Sequence, residues 1–197
     1  MDYEGVKSFI IDKLSRELDP RLFYHDLNHT IDVLQSVERL ASLEKISPEE
    51  TLLIKTASLF HDSGMLKTYV GHEEASCEIA NEILPGYGYS PRSIESINRM
   101  ILTTKLPQSA KDKLEQIICD ADLDYLGRED FYMISHRLKL EWNLFNIKPT
   151  TLKEWYGLQI EFLKKHNYFT ISAIETREDG KLKNLQEIME IMNGAGF

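Results

Sequence analysis

The spacing of apolar residues is the feature that most constrains how this chain can fold. Apolar side chains recur at intervals of three and four residues in nearly every segment, as at Ile31, Leu34 and Val37. That interval matches one face of an α-helix, and no stretch shows the sustained alternation of a half-buried strand. The pattern therefore predicts an all-α protein.

Several helix ends can be placed from the sequence. Residues 47–50, Ser-Pro-Glu-Glu, combine an N-cap, a proline at the first helical position and acids in the first turn. The following helix is apolar on most faces, which predicts that it is central and buried. His61 and Asp62 stand at its C-terminal end, just before Gly64. Polar groups in that position need a functional explanation.

The same patterns divide the rest of the chain into helices. We expect a first helix that stops near residues 19–20, a second that opens at His29, and further helices over about 72–84, 91–104, 109–122, 130–143 and 150–166. After these, YFTISAIETREDG is interpreted as irregular, and a short terminal helix is expected around 185–192. No repeat or low-complexity linker is visible.

Composition bounds the class of protein. A chain of 197 residues with 42% apolar and 28% charged residues suits one compact domain over 1–197. The formal net charge of -9 argues against a surface for nucleic-acid polymers. A small anionic substrate remains compatible with that charge, because a metal ion and a few basic groups set the local field.

Cysteine usage and hydropathy indicate the compartment. Cys77 and Cys119 each lie in an apolar stretch without a CxxC spacing, which favours buried thiols and a reducing cytoplasm. The start MDYEGVKSFI does not resemble an export signal. No window reaches the roughly 18 apolar residues of a membrane span. We therefore expect a cytoplasmic protein without a membrane partner.

Three polar clusters together suggest a metal site. They are YHDLNHT with His25 and His29, taken as two histidines on one helical face, the pair His61-Asp62, and the DADLD cluster around Asp122. Imidazole and carboxylate are the usual mixed ligands of divalent metals. Without a common role, these three clusters would have to come together by chance, so we expect them to meet at a divalent metal ion.

This pattern, H…HD…D, resembles the HD-domain superfamily of metal-dependent phosphohydrolases. The match spans roughly 23–127. Carried over residue by residue, it implies that the metal ligands are His29, His61, Asp62 and Asp122, and burying these four groups without an ion would be costly. The segment GHEEAS at 71–76 is similar to one in which the family's histidine binds substrate or a second metal.

The resemblance implies a single compact helical bundle. It does not extend past Pro149, so we take 150–197 as a C-terminal helical extension packed on that bundle. It also implies a divalent ion (Mn, Mg, Co, Ni, Zn or Fe) and hydrolysis of a small phosphate ester, a nucleotide or a phosphodiester.

The number of ions is a separate question. Binuclear members of the family supply a further histidine where this chain reads RMILTTKLP, with Thr103 and Thr104. That departure favours one main ion and leaves a second near His72 as an alternative. His72 then contacts a phosphate or a metal-bound water.

Further roles follow from the chemistry of phosphate hydrolysis, which needs basic or donor groups beside the metal. Lys67, in the loop between the His-Asp pair and His72, is the first candidate for a phosphate contact, and Lys105 is the second. Glu73 is slightly favoured over Glu74 as the acid or base. Asp62 would serve both as a ligand and in catalysis.

Other interpretations stay open. His25 is either a substrate contact or a packing group, and Asp120 and Asp124 are more consistent with supporting or capping roles than with ligation. A metal-bearing module that senses a nucleotide without turnover and a di-iron oxygenase are the alternative functions. A homodimer is also compatible with the sequence.

Overall fold

The computed structural model describes residues 1–194, and these contain α-helices, short 3-10 helices and loops but no strand. The all-α prediction is confirmed. The helices are α1 (Tyr3–Glu17), α2 (Leu27–Leu43), α3 (Pro48–Phe60), α4 (His72–Ile83), α5 (Pro91–Thr104), α6 (Lys113–Asp122), α7 (Phe131–Leu144), α8 (Leu152–Lys165) and α9 (Ile171–Gly194). None of them is both long and apolar enough to cross a membrane.

The chain divides into two compact units, Met1–Asp122 and Leu123–Phe197. In the first unit, α3 is the central helix and packs against α1, α2, α5 and α6. Ile54, Leu59 and Phe60 on α3 are fully buried, as its apolar sequence predicts. A capping box between Ser47 and Glu50 closes its N-terminus.

Two helices of the first unit do not begin where expected: α2 begins earlier and α6 begins later. The carboxylate of Asp26 caps α2 by accepting from the His29 N–H at 2.9 Å, so this helix starts at Leu27. His25 therefore precedes the helix, and its predicted place on one helical face with His29 is wrong. The helix α6 begins at Lys113 rather than near 109, because Asp112 accepts from the backbone just after it.

The second unit contains α7, α8 and α9, and α9 packs against α8 and the 3-10 helix Asp124–Gly127. The expectation of an irregular segment after Tyr168 is wrong, because α9 is continuous from Ile171 to Gly194. Gly180 lies inside this helix, where a Cβ would stand 2.0 Å from the Gly127 carbonyl oxygen. This glycine permits a close helix contact and does not break the helix.

The domain organisation expected from the sequence stays a prediction. Neither unit by itself tests the prediction of a single domain over 1–197 or of a packed extension over 150–197. Residues 195–197 lie outside the described part of the chain.

Candidate metal centre

All four predicted ligands belong to the first unit and lie at the ends of three different helices. His29 is in the first turn of α2, His61 and Asp62 directly follow α3, and Asp122 is the last residue of α6. The helix α3 packs against both α2 and α6, which brings these ends to one point. The fold therefore assembles residues that are up to 93 positions apart in sequence.

The ligand atoms converge closely. The His29 Nε2 lies 3.2 Å from the Asp122 Oδ1 and 3.3 Å from the His61 Nε2, which in turn lies 3.1 Å from the Asp62 Oδ2. Donor atoms about 2.1 Å from one ion are roughly 3.0–3.4 Å apart along octahedral or tetrahedral edges. These three spacings lie in that range, and the His61 Nε2 is 3.6 Å from the Asp122 Oδ1, just above it, so a divalent cation fits these residues.

Backbone contacts fix the orientation of His61. Its Nδ1 lies 2.8 Å from the Ser58 carbonyl oxygen, and since a carbonyl only accepts, the ring nitrogen donates. The Nε2 is then the atom that faces the other ligands. Histidines that bind metals commonly hold their second ring nitrogen in this way.

Burial and neighbouring charges act in opposite directions on the pKa values of the groups at the centre. Burial alone would lower the pKa of His29, but the carboxylates of Asp122 and Asp62 outweigh it and raise that pKa to about 9. Burial would raise the pKa of Asp122, yet His29 and His61 hold it at about 2. The carboxylates are thus held as anions, the form that binds a cation.

A second group of ligand atoms shares Asp62. Ligand atoms of His25, Asp62 and His72 lie within 4.8 Å of one another, as do those of His29, His61 and Asp122. The His72 Nε2 is 3.3 Å from the Asp62 Oδ1, and its Nδ1 donates to the Tyr69 carbonyl oxygen at 2.9 Å. The Oδ2 of Asp62 therefore faces His29 and His61, whereas its Oδ1 faces His72.

Ser76, a buried serine to which the sequence analysis assigns no role, links the His-Asp turn to α4. The Ser76 hydroxyl donates to the His61 carbonyl oxygen and accepts from the Gly64 N–H, both at 2.7 Å. The only available signal was its position in GHEEAS, four residues after His72. This contact places His72 and Glu73 beside Asp62.

The acid candidates on α4 differ in their surroundings. Glu73 is buried, with its Oε1 3.6 Å from the His72 Nε2. Glu74 is exposed and pairs with Lys105. Lys67 pairs with Glu78 at 3.2 Å on the surface. Both lysines proposed for phosphate contact are thus held by neighbouring carboxylates.

The remaining aspartates and the threonines have separate environments. Asp120 is fully buried in α6. Asp124 accepts two hydrogen bonds from Arg177 within the second unit, at 2.8 and 2.9 Å. Thr104 is buried, and its hydroxyl donates to the Ile101 carbonyl oxygen.

Comparison with known proteins identifies the family. The HD-CE family model matches residues 11–158. The chain belongs to the HD-CE family. This membership confirms the HD-domain resemblance that the H…HD…D pattern carried.

A solved structure supports the same conclusion for the fold of the HD-CE chain. It is described as a predicted HD superfamily hydrolase from an uncultured Thermotogales bacterium. The alignment covers 98% of this chain and 92% of that chain, with a TM-score of 0.62 and 21% sequence identity. At that identity the likeness shows a shared fold. No curated protein matches the chain in sequence.

Proposed function

We propose that this HD-CE protein is a metal-dependent phosphohydrolase that acts on a small phosphate ester, a nucleotide or a phosphodiester. The observation that carries the proposal is the convergence of the His29, His61, Asp62 and Asp122 ligand atoms. Two imidazoles and two carboxylates would leave coordination positions of a divalent ion open to water and substrate. Bound there, the ion would polarise a phosphoryl oxygen and lower the pKa of a bound water.

The protein's own residues supply the proton transfer. Glu73 is buried at the edge of the centre, so its carboxylate is suited to accept a proton from the attacking water. The water oxygen then forms a bond to phosphorus while the ester P–O bond breaks. Glu73 returns the proton to the leaving oxygen, which gives an alcohol and a phosphate.

Substrate size and location are part of the same proposal. The net charge of -9 disfavours a polymeric nucleic acid, while a small phosphate needs only local positive charge. Lys67 and Lys105 would contact that phosphate after exchanging their carboxylate partners. The buried free thiols Cys77 and Cys119 support a reducing, cytoplasmic location.

The test combines metal analysis with a substrate screen. Purified protein is loaded with Mn, Mg, Co or Ni and assayed for phosphate release from nucleotides and for cleavage of phosphodiesters. We expect Asp62→Asn to abolish metal-dependent turnover, since it removes a ligand charge at nearly constant volume. Asp12→Asn, an exposed carboxylate paired with Arg16, is the matched control and should keep full activity.

Other results would contradict the proposal in identifiable ways. Full activity of Asp62→Asn would overturn the site assignment. Stable metal and nucleotide binding without turnover would indicate a sensing module. Two irons per chain with oxygen consumption would indicate an oxygenase.

A further inference from the structure

We propose that Tyr69 determines the substrate specificity of this HD-CE protein by stacking on the base of a nucleotide. The inference rests on the proposed phosphohydrolase function, because it takes the phosphate of the substrate to be bound at an ion among His29, His61, Asp62 and Asp122. It narrows the substrate from small phosphate esters in general to nucleotides. Tyr69 belongs to no motif of the sequence and lies two residues before GHEEAS.

A series of ring contacts connects Tyr69 to the metal centre. The ring centroids of Tyr69 and His25 are 5.6 Å apart, and the two rings are nearly perpendicular, at 87°. The centroids of His25 and His72 are 5.4 Å apart, and the His72 Nε2 lies 3.3 Å from the Asp62 Oδ1. Tyr69 therefore stands at the side of the centre, where the organic part of a metal-bound phosphate ester can reach it.

The surface around Tyr69 is apolar and accessible. Thr68 and Val70 are exposed, Val70 to 78%, whereas Tyr69 between them is half-buried against His25. Phe23, two residues before His25, is exposed to 38%. Aromatic and apolar side chains beside a few convergent polar groups are the usual composition of a small-molecule site.

Hydrogen bonds order the segment around Tyr69 before a ligand binds. The Thr68 N–H donates to the Gly64 carbonyl oxygen, and the Thr68 hydroxyl donates to the Val70 carbonyl oxygen, both at 3.0 Å. The Tyr69 carbonyl oxygen accepts from the His72 Nδ1 at 2.9 Å. An ordered segment loses little entropy when it binds a ring, so this arrangement favours a pre-formed site.

The chemistry of the surface favours a base over an aliphatic group. Every nucleobase presents a flat π-face, and bases of all kinds stack on aromatic side chains. A sugar or an alkyl ester has no such face. An aromatic residue beside the phosphate site therefore favours a nucleotide over an aliphatic phosphate ester.

The experiment compares a substrate that has a base with one that lacks it. Phosphate release from adenosine 5′-monophosphate and from ribose 5-phosphate is measured with the Mn²⁺-loaded protein. We expect Tyr69→Leu, which keeps an apolar side chain, to lower kcat/KM for the nucleotide by roughly 5–150-fold, mainly through KM. The value for the sugar phosphate should stay within about twofold, because that substrate does not use the ring. Tyr69→Phe keeps the ring and should keep the preference for the nucleotide.

A second tyrosine of the first unit provides the matched control. Tyr87 is half-buried and packs against Phe9 on α1, with ring centroids 6.1 Å apart. Tyr87→Leu should leave both substrates unchanged. Circular dichroism checks the folding of each variant. If Tyr69→Leu does not fold, the wild type decides the result by calorimetry, because the nucleotide should bind more tightly than the sugar phosphate by the same factor.

Each contrary outcome has a distinct meaning. Equal values for the two compounds in the wild type, or an equal loss for both in Tyr69→Leu, overturn the stacking role and leave the proposed function intact. An equal loss for the nucleotide in Tyr69→Phe and Tyr69→Leu also overturns stacking, because the hydroxyl would then be the recognised group. Release of phosphate from neither compound, with nucleotide binding that depends on Tyr69, supports the stacking role and overturns the proposed hydrolysis of these esters. Neither release nor binding overturns both.

Discussion

At the level of single side chains, Asp62 contacts three imidazoles through its two oxygens. Burial would raise its pKa, but His61, His29 and His72 together hold that pKa well below the ordinary range. The side chain of Asp62 is therefore an anion that interacts with all three imidazoles. Removing its charge would take one carboxylate from three imidazoles at once, which is why it is the first residue to mutate.

Glu73 permits a cleaner separation of catalysis from metal binding. Glu73→Gln keeps the side-chain volume but cannot accept a proton, so we expect kcat to fall by about 10²–10⁴-fold. The metal content should stay unchanged, since Glu73 is outside the four-residue ligand set. Steady-state kinetics with elemental analysis measure both quantities.

The adjacent glutamate provides the control for that variant. Glu74→Gln changes an exposed carboxylate that pairs with Lys105, and its kcat should remain within a few-fold of the wild type. A normal kcat for Glu73→Gln, or an equal loss in both variants, would refute the role of Glu73 as the base.

At the level of elements, the turn after α3 packs so closely against α4 that an added methyl group at Gly64 does not fit. A Cβ at Gly64 would stand 1.9 Å from the His72 carbonyl oxygen and 2.7 Å from the Ser76 nitrogen. Both neighbours are backbone atoms of a helix, so they can move only if α4 moves. The distance between Asp62 and His72 thus depends on this glycine.

Gly64→Ala should therefore separate α4 from the His-Asp turn. We expect a lower melting temperature, a loss of stability on the order of 1–3 kcal/mol from overpacking, and weaker Mn²⁺ binding. Calorimetry and metal titration measure these effects. Gly86→Ala is the matched control, because a Cβ there has nothing within 4 Å. Equal melting temperatures and metal affinities for the two variants would contradict the close-contact argument.

Elements with local signals were predictable from the sequence, and those formed by distant contacts were not. The start of α3 was evident because Ser47 and Pro48 act within one turn. The continuous helix α9 was not predicted, because Gly180 suggests a break. The structure shows that Gly180 instead leaves room for the backbone of Gly127, which is 53 positions earlier in the sequence.

The candidate site shows the same division. Its four proposed metal ligands could be singled out by residue type, by clustering and by their resemblance to the H…HD…D pattern of the HD-domain superfamily. The approach of His25 to His72 was not, because it depends on how α2 and α4 are placed in the fold. The hydrogen bonds from His61 to the Ser58 carbonyl and from His72 to the Tyr69 carbonyl could not be predicted either. Every residue has a carbonyl group, and only the fold determines which ones these histidines contact.

At the level of the whole molecule, stability should depend on pH through His166, a histidine of the second unit. Neither ring nitrogen of His166 has a hydrogen-bond partner among the residues described. Burial, with a contribution from the nearby Lys181, lowers its pKa to about 4. In the unfolded chain the pKa returns to about 6.5. The unfolded state therefore binds the proton more strongly, so this stabilisation is present above pH 6.5 and is lost as the pH falls toward 4.

His166→Phe should flatten that dependence. The variant keeps an aromatic ring beside Phe162 and Tyr168 but has no proton to bind. Relative to its own value at pH 7.5, the wild type should lose about 2 kcal/mol more than the variant at pH 5, from the two pKa values. Urea unfolding followed by tryptophan fluorescence is the measurement, because both tryptophans, Trp142 and Trp155, lie in the second unit with His166. Parallel pH profiles would mean that His166 is protonated equally in both states, and the carboxylates would then account for any loss of stability in acid.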